Sequence, residues 1–249
     1  MSDSHDSHSP LAQFEIFPLY KIQLAGYDVS FTNSALWMVV AITAIMALLI
    51  PASRRKAIVP GRLQSAAEML IGFVNNTILE SAGREGLKYF PIIFTLFTFI
   101  LTCNLFGMLP GSFTVTSHIS VTFALAAFVF IGVTLIAIFK HGLGKFLHFF
   151  LPEGTPMVMA PLLFIIEFFS YLSRPISLSI RLAANMMAGH VTMKVIAGLI
   201  ITFGMLVGIA SMFPLLLFLT AFEIAIAVIQ AYIFTILTCV YLNDALHLH

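Results

Sequence analysis

Residues 170–190 read SYLSRPISLSIRLAANMMAGH, and the setting of this stretch decides the fold. It carries two arginines, Arg174 and Arg181, seven residues apart inside an apolar run from about Pro161 to Leu206. A guanidinium stays protonated at any accessible pH. At the centre of a membrane-spanning helix it costs about 2.5–3.5 kcal/mol on insertion scales. A chain that keeps two such groups in apolar sequence must supply them with partners.

The composition requires the membrane setting. Of the 249 residues 60% are hydrophobic and 9% charged, and the mean hydropathy is +1.03. Soluble domains carry about 25% charged residues, so this chain cannot clothe itself in water. The net charge of +1 argues against nucleic acid as a partner. Cys103 and Cys239 fall in separate apolar segments, which suggests neither a disulfide framework nor a metal site. The acidic start, MSDSHDSH, is expected to be loosely held, and the polar residues 1–30 lack the apolar core of a cleaved secretory signal.

Apolar length predicts an all-α integral membrane protein with a single domain over 1–249. Spans are expected over 34–50, 90–109 and 119–139, each near the length a hydrocarbon core of about 30 Å requires. Between the first two, residues 63–82 mix apolar positions with Glu68, Asn75, Asn76 and Glu80 at helical spacing. That pattern predicts an amphipathic helix at the membrane surface. Two longer stretches, 161–206 and 213–242, complete five passes, with a turn expected near Ser211. At 1.5 Å per residue the first of them is roughly 65–70 Å long, about twice the bilayer core. Either it breaks, at Pro175 or Gly189, or it lies strongly inclined, since ordinary tilt of about 20° cannot absorb the excess.

Basic residues set the orientation. Arg54, Arg55, Lys56, Arg62, Arg84 and Lys88 lie between the first and second spans, and Lys140 and Lys145 follow the third. By the positive-inside bias these loops face the cytoplasm, with the N-terminus outside and the C-terminus cytoplasmic.

The polar residues inside the long stretches form a pattern. Glu167, Arg174 and Arg181 are spaced by sevens, so they project from nearly one face of a helix, with Ser170, Ser177 and Asn185 on the same stripe. Small neighbours, Ala183, Ala184, Ala188 and Gly189, allow another helix to approach closely. Arg174 has an internal partner within reach in Glu167, whereas Arg181 is read as facing a charge brought by another subunit. The last stretch offers Glu223 and Gln230, again seven apart, with Thr220 and Ala227 on that face. His190, nine residues beyond Arg181 and so on the opposite side of the helix, is free to face a different compartment or Glu223, and an imidazole and a carboxyl in a dry setting can make a proton relay. Nothing predicts a nucleotide site or a nucleophile–base pair, and HGLGK lacks the spacing of a phosphate-binding loop.

SLSIRLAANMMAGH (177–190), followed by EIAIAVIQAYIFTILTCVYL (223–242), resembles subunit a of the F-type rotary ATP synthase. NLFGMLP (104–110), QFEIFPL (13–19) and SFTNS (30–34) extend that resemblance over essentially the whole chain. It implies a non-catalytic stator subunit without cofactor, carrying protons beside a ring of c subunits and held by the peripheral-stalk subunit b. It further implies that Arg181 faces the ring carboxylate, that Asn185 and Gln230 match family positions, and that His190 and Glu223 form an exchanged acid–histidine pair. Glu167, and Arg174 with it, would then belong to the inner half-channel, and the last two helices would form an inclined hairpin against the ring. The expected host is a bacterial inner membrane, with the mitochondrial inner membrane as the alternative. One rival reading is a purely structural subunit of a membrane complex, for which the aligned stripe of Glu167, Arg174 and Arg181 would be needlessly costly. The other is a stand-alone secondary transporter holding an anionic substrate at Arg181. Such proteins often show internal repeats, and none is evident.

Overall fold

A computed structural model describes residues 16–21, 23–24, 27–28, 30–54, 60–109, 112–148, 150, 159–202 and 205–247. The acidic start of the chain lies outside the described residues. Four short strands come first, β1 (Pro18–Tyr20), β2 (Gln23–Leu24), β3 (Tyr27–Asp28) and β4 (Phe31–Thr32). They pair antiparallel as β1 with β4 and β2 with β3. These ribbons interrupt an otherwise helical chain and were not foreseen from the polar composition of residues 1–30.

Six helices follow: α1 (Asn33–Arg54), α2 (Arg62–Gly86), α3 (Phe90–Gly107), α4 (Ile119–His148), α5 (Ala160–Thr202) and α6 (Met205–Leu246). Five helical segments among the described residues are long and apolar enough to cross a membrane. One of these runs over Arg62–Gly107 and includes α2, which departs from helical geometry at Gly83, where φ is 66°. Only glycine adopts that angle readily, so the chain turns there between the amphipathic residues and the apolar α3. Gly142, at φ 81°, does the same near the end of α4, just after Lys140 and His141.

The break considered at Pro175 or Gly189 is absent. Helix α5 is continuous over 43 residues with Pro175 inside it. Proline removes one backbone donor, but in lipid every other carbonyl and N–H has no water to turn to, so the helix persists around the loss. Nearby serines take up local carbonyls: Ser173 Oγ donates to Ser170 O at 2.7 Å and Ser179 Oγ to Ile176 O at 2.9 Å. The turn expected near Ser211 is also absent at that position, which is helical within α6. Pro214, three residues further on, lies inside α6 as Pro175 lies inside α5, and neither proline ends its helix.

The chain divides into two compact units. The first comprises described residues within 1–64, 98–118 and 182–231, and the second those within 65–97, 119–181 and 232–249. In the first, the β ribbons lead into α1, and α1 packs against the short 3-10 turn Val115–Ser117. The core of that unit includes Ala41, Leu182, Ala183, Met186 and Ala227. In the second, Val74 and Ile78 of α2 join Ile93 of α3, Val129 of α4 and Phe234 of α6 as buried residues. The Phe73 ring packs at a tilt against both Phe97 and Tyr232. The end of α6 is tied down there by Lys140, which donates to Leu246 O at 3.1 Å and pairs with Glu85 at 2.6 Å. A cation on the last carbonyls of a helix is favoured by the exposed negative end of its dipole.

Candidate functional site

In the first unit the fold buries three polar side chains that apolar surroundings penalise. His190 on α5 is 6% exposed, and Glu223 and Gln230 on α6 are 5% and 7% exposed. Glu223 and Gln230 share a face because seven residues make almost two full turns, and fully buried Ala227 lies between them. The Glu223 carboxylate packs directly on the backbone of Gly189. A Cβ there would overlap Oε1 and approach Cδ and Cγ at 2.7 and 3.0 Å. Glycine at 189 is therefore what lets α6 bring its carboxylate against α5, next to His190. Both carboxylate oxygens are buried without a hydrogen-bond partner among the described residues. Burying an unpartnered carboxylate is expensive.

His190 does not bond Glu223 directly. Its Nε2 lies 3.0 Å from Thr114 Oγ1. Thr114 belongs to the segment Phe113–Ser117 between α3 and α4, every residue of which is buried. At the end of that segment the His118 ring stacks on Phe113, with centroids 4.9 Å apart. Burial holds the His118 imidazole below its ordinary pKa. From α3, fully buried Asn104 reaches over to α6, its Nδ2 donating to Ala227 O at 3.1 Å. Thr114 and Asn104 were both missed as site residues in the sequence. Asn104 had a signal, an amide inside an apolar span, whereas Thr114 looked like ordinary loop. Asn185 is exposed on α5.

In the second unit the expected stripe of Glu167, Arg174 and Arg181 separates. The internal Glu167–Arg174 ion pair is not what forms: Arg174 Nη1 pairs with Asp244 Oδ2 of α6 at 3.0 Å. Its guanidinium also lies over the Tyr171 ring at 5.2 Å and the Tyr241 ring at 4.9 Å. Tyr171 is in turn held by a 2.7 Å hydrogen bond to Thr134 of α4. A carboxylate across the helix pair together with two aromatic faces is a more complete setting for a guanidinium than a carboxylate two turns back on the same helix. Glu167 stays partly exposed on α5. Arg181 is exposed, along with Ser170, Ser173 and Ser177 at helical spacing before it. It makes no hydrogen bond or ion pair with another described residue, so its charge points out of the chain.

Comparison with known proteins shows the family. The family described as ATP synthase A chain matches residues 35–243. Two sequences named ATP synthase subunit a, both from Rhodospirillum rubrum and one assigned to a particular strain, are each 54% identical over 242 residues. Those alignments cover 97% of this chain and 100% of the relatives. The chain belongs to the ATP synthase A chain family.

Proposed function

We propose that this chain carries protons across the membrane through two half-channels beside a rotating ring of c subunits, and that this flow drives ATP synthesis. The observation that carries the reading is Arg181: a permanent cation exposed on an apolar helix, with no partner in its own chain among the described residues. In this reading its partner is a carboxylate on the ring. Family membership leaves the stand-alone transporter reading without support.

Protons enter from the outer side near His190, Glu223 and Gln230, with Asn185 one turn beyond Arg181 on α5. The unpartnered carboxyl of Glu223 and the imidazole of His190 are the groups that can hold the incoming proton and pass it on. The proton neutralises a ring carboxylate, which then travels through lipid at low cost. On the inner side the site releases its proton near Glu167, with Arg174 held close by Asp244. Arg181 stands between entry and exit in the chain order. Its charge attracts the deprotonated carboxylate and repels a proton that would otherwise pass straight through. The driving force is about 2.3 kcal/mol per elementary charge per 100 mV, together with the pH difference.

At roughly 65 Å, α5 exceeds twice the bilayer core, so we place α5 and α6 as an inclined hairpin with a broad flank against the ring. The subunit sits in a bacterial inner membrane, N-terminus outside and C-terminus cytoplasmic, held by subunit b of the peripheral stalk. It has no catalytic step of its own and needs no cofactor. The test is Glu223→Gln in the assembled complex, reconstituted in sealed vesicles. Proton-driven synthesis is expected to fall about 10²-fold, the scale of a lost acid–base group. Normal synthesis by an assembled variant would remove Glu223 from the path.

A further inference from the structure

The segment Phe113–Ser117 does not behave as a surface loop. Thr114 is 3% exposed, Val115 1%, Thr116 0% and Ser117 1%. It is cross-braced within itself: Ser117 Oγ donates to Thr114 O at 2.7 Å, and His118 N–H donates to Val115 O at 3.3 Å. Thr114 is also seated on the end of α3. A Cβ at Gly107 would meet Thr114 Cγ2 at 2.8 Å and Oγ1 at 3.1 Å, so glycine there is the floor of its pocket. The side chain is thereby confined, and its hydroxyl has two neighbours within reach, Gly107 O at 3.4 Å and His190 Nε2 at 3.0 Å.

A hydroxyl has one proton to give and lone pairs to accept with, whereas a carbonyl oxygen only accepts. If the Thr114 proton points to Gly107 O, the bond to His190 must run the other way, from Nε2–H to Oγ1. We propose that Thr114 is a positioning residue of the proton-entry path: it accepts from His190 Nε2–H and so fixes the imidazole tautomer whose basic nitrogen is Nδ1. This inference rests on the assignment of His190 to proton entry made above. Which nitrogen carries the proton decides from which direction the ring can take up the next one. Without the Thr114 hydroxyl this constraint on the ring is lost, and the balance between the two tautomers shifts. Of the charged and titratable groups, Lys194 acts on His190 from one turn along α5 and Glu223 is seated on the neighbouring Gly189, while His118 ends the buried segment that carries Thr114.

The experiment uses the intact complex in sealed vesicles, with histidine labelled in nitrogen-15 and the His190 signals assigned by their loss in His190→Asn. In the neutral ring the Nε2 resonance should be protonated and the Nδ1 resonance unprotonated; the opposite pattern overturns the proposal. Thr114→Val keeps the shape and removes the hydroxyl, and should mix the two tautomers. It should also raise the outer proton concentration for half-maximal synthesis by about two- to tenfold, the span of one neutral hydrogen bond. Thr114→Ser should restore both readouts. A valine variant identical to the wild type in both would contradict the role. Normal synthesis in His190→Gln would instead defeat the assignment of His190, while the wild-type nitrogen spectrum still decides the tautomer. Should the valine variant fail to assemble, the wild-type and serine spectra carry the decision alone.

Discussion

Arg174 and Arg181 stand two turns apart on one helix and end in opposite circumstances. Arg174 is half-buried, ion-paired with Asp244 at 3.0 Å and flanked by two tyrosine rings. Arg181 is exposed and makes no bond to a described residue. The carboxylates of α6 divide in the same manner: Asp244 is neutralised, whereas Glu223 is buried with both oxygens unpartnered among the described residues. The two conditions distinguish two uses of charge in a membrane protein. One kind is neutralised at home and ties helices together. The other has no partner among the described residues, which is the condition that the proposed proton path requires.

This contrast can be broken most strongly at the neutralised pair. Asp244→Asn leaves Arg174 without its counter-charge, which should lower the stability of the extracted complex by about 2 kcal/mol. That is below the 3–5 kcal/mol of a fully buried pair, because both partners keep some solvent contact. Thermal unfolding of the purified assembly reads this, and an unchanged midpoint would mean that the pair is ornamental. A smaller net effect is expected for Arg174→Met combined with Asp244→Leu, since apolar replacement of both partners is often neutral. The double variant should therefore be more stable than Asp244→Asn alone, and the difference measures the coupling. Least of all, Tyr241→Leu should cost about 0.5–1 kcal/mol by removing one aromatic face from the guanidinium. A loss as large as that of Asp244→Asn would show that the ring, not the carboxylate, holds Arg174.

The sequence made the spans legible because hydropathy over a bilayer thickness is a local property. It also made Arg181, Glu223 and Gln230 legible, because a charge or amide inside an apolar run stands out and a spacing of seven defines a face. The partner of Arg174 was not legible. Asp244 lies 70 residues away near the polar end of the chain, where an aspartate raises no question, and Glu167 was the nearer carboxylate. Thr114 was hidden for the converse reason: in SFTVTSH a threonine reads as solvent-facing loop, and only tertiary packing buries it against Gly107 and His190. Pro175 misled in the other direction. In water it would have been a strong stop signal, but a helix in lipid has no alternative partner for its backbone and continues through.

The central claim is that Arg181 separates entry from exit. The direct test is Arg181→Ala in the assembled complex in sealed vesicles, following ATP-driven acidification and passive proton flux together. Because Arg181 has no bond within the chain among the described residues, assembly should persist. ATP-driven pumping should vanish while passive flux persists or rises. Pumping near the normal rate would contradict the account, and would reduce Arg181 to a charge that merely shapes the surface of α5.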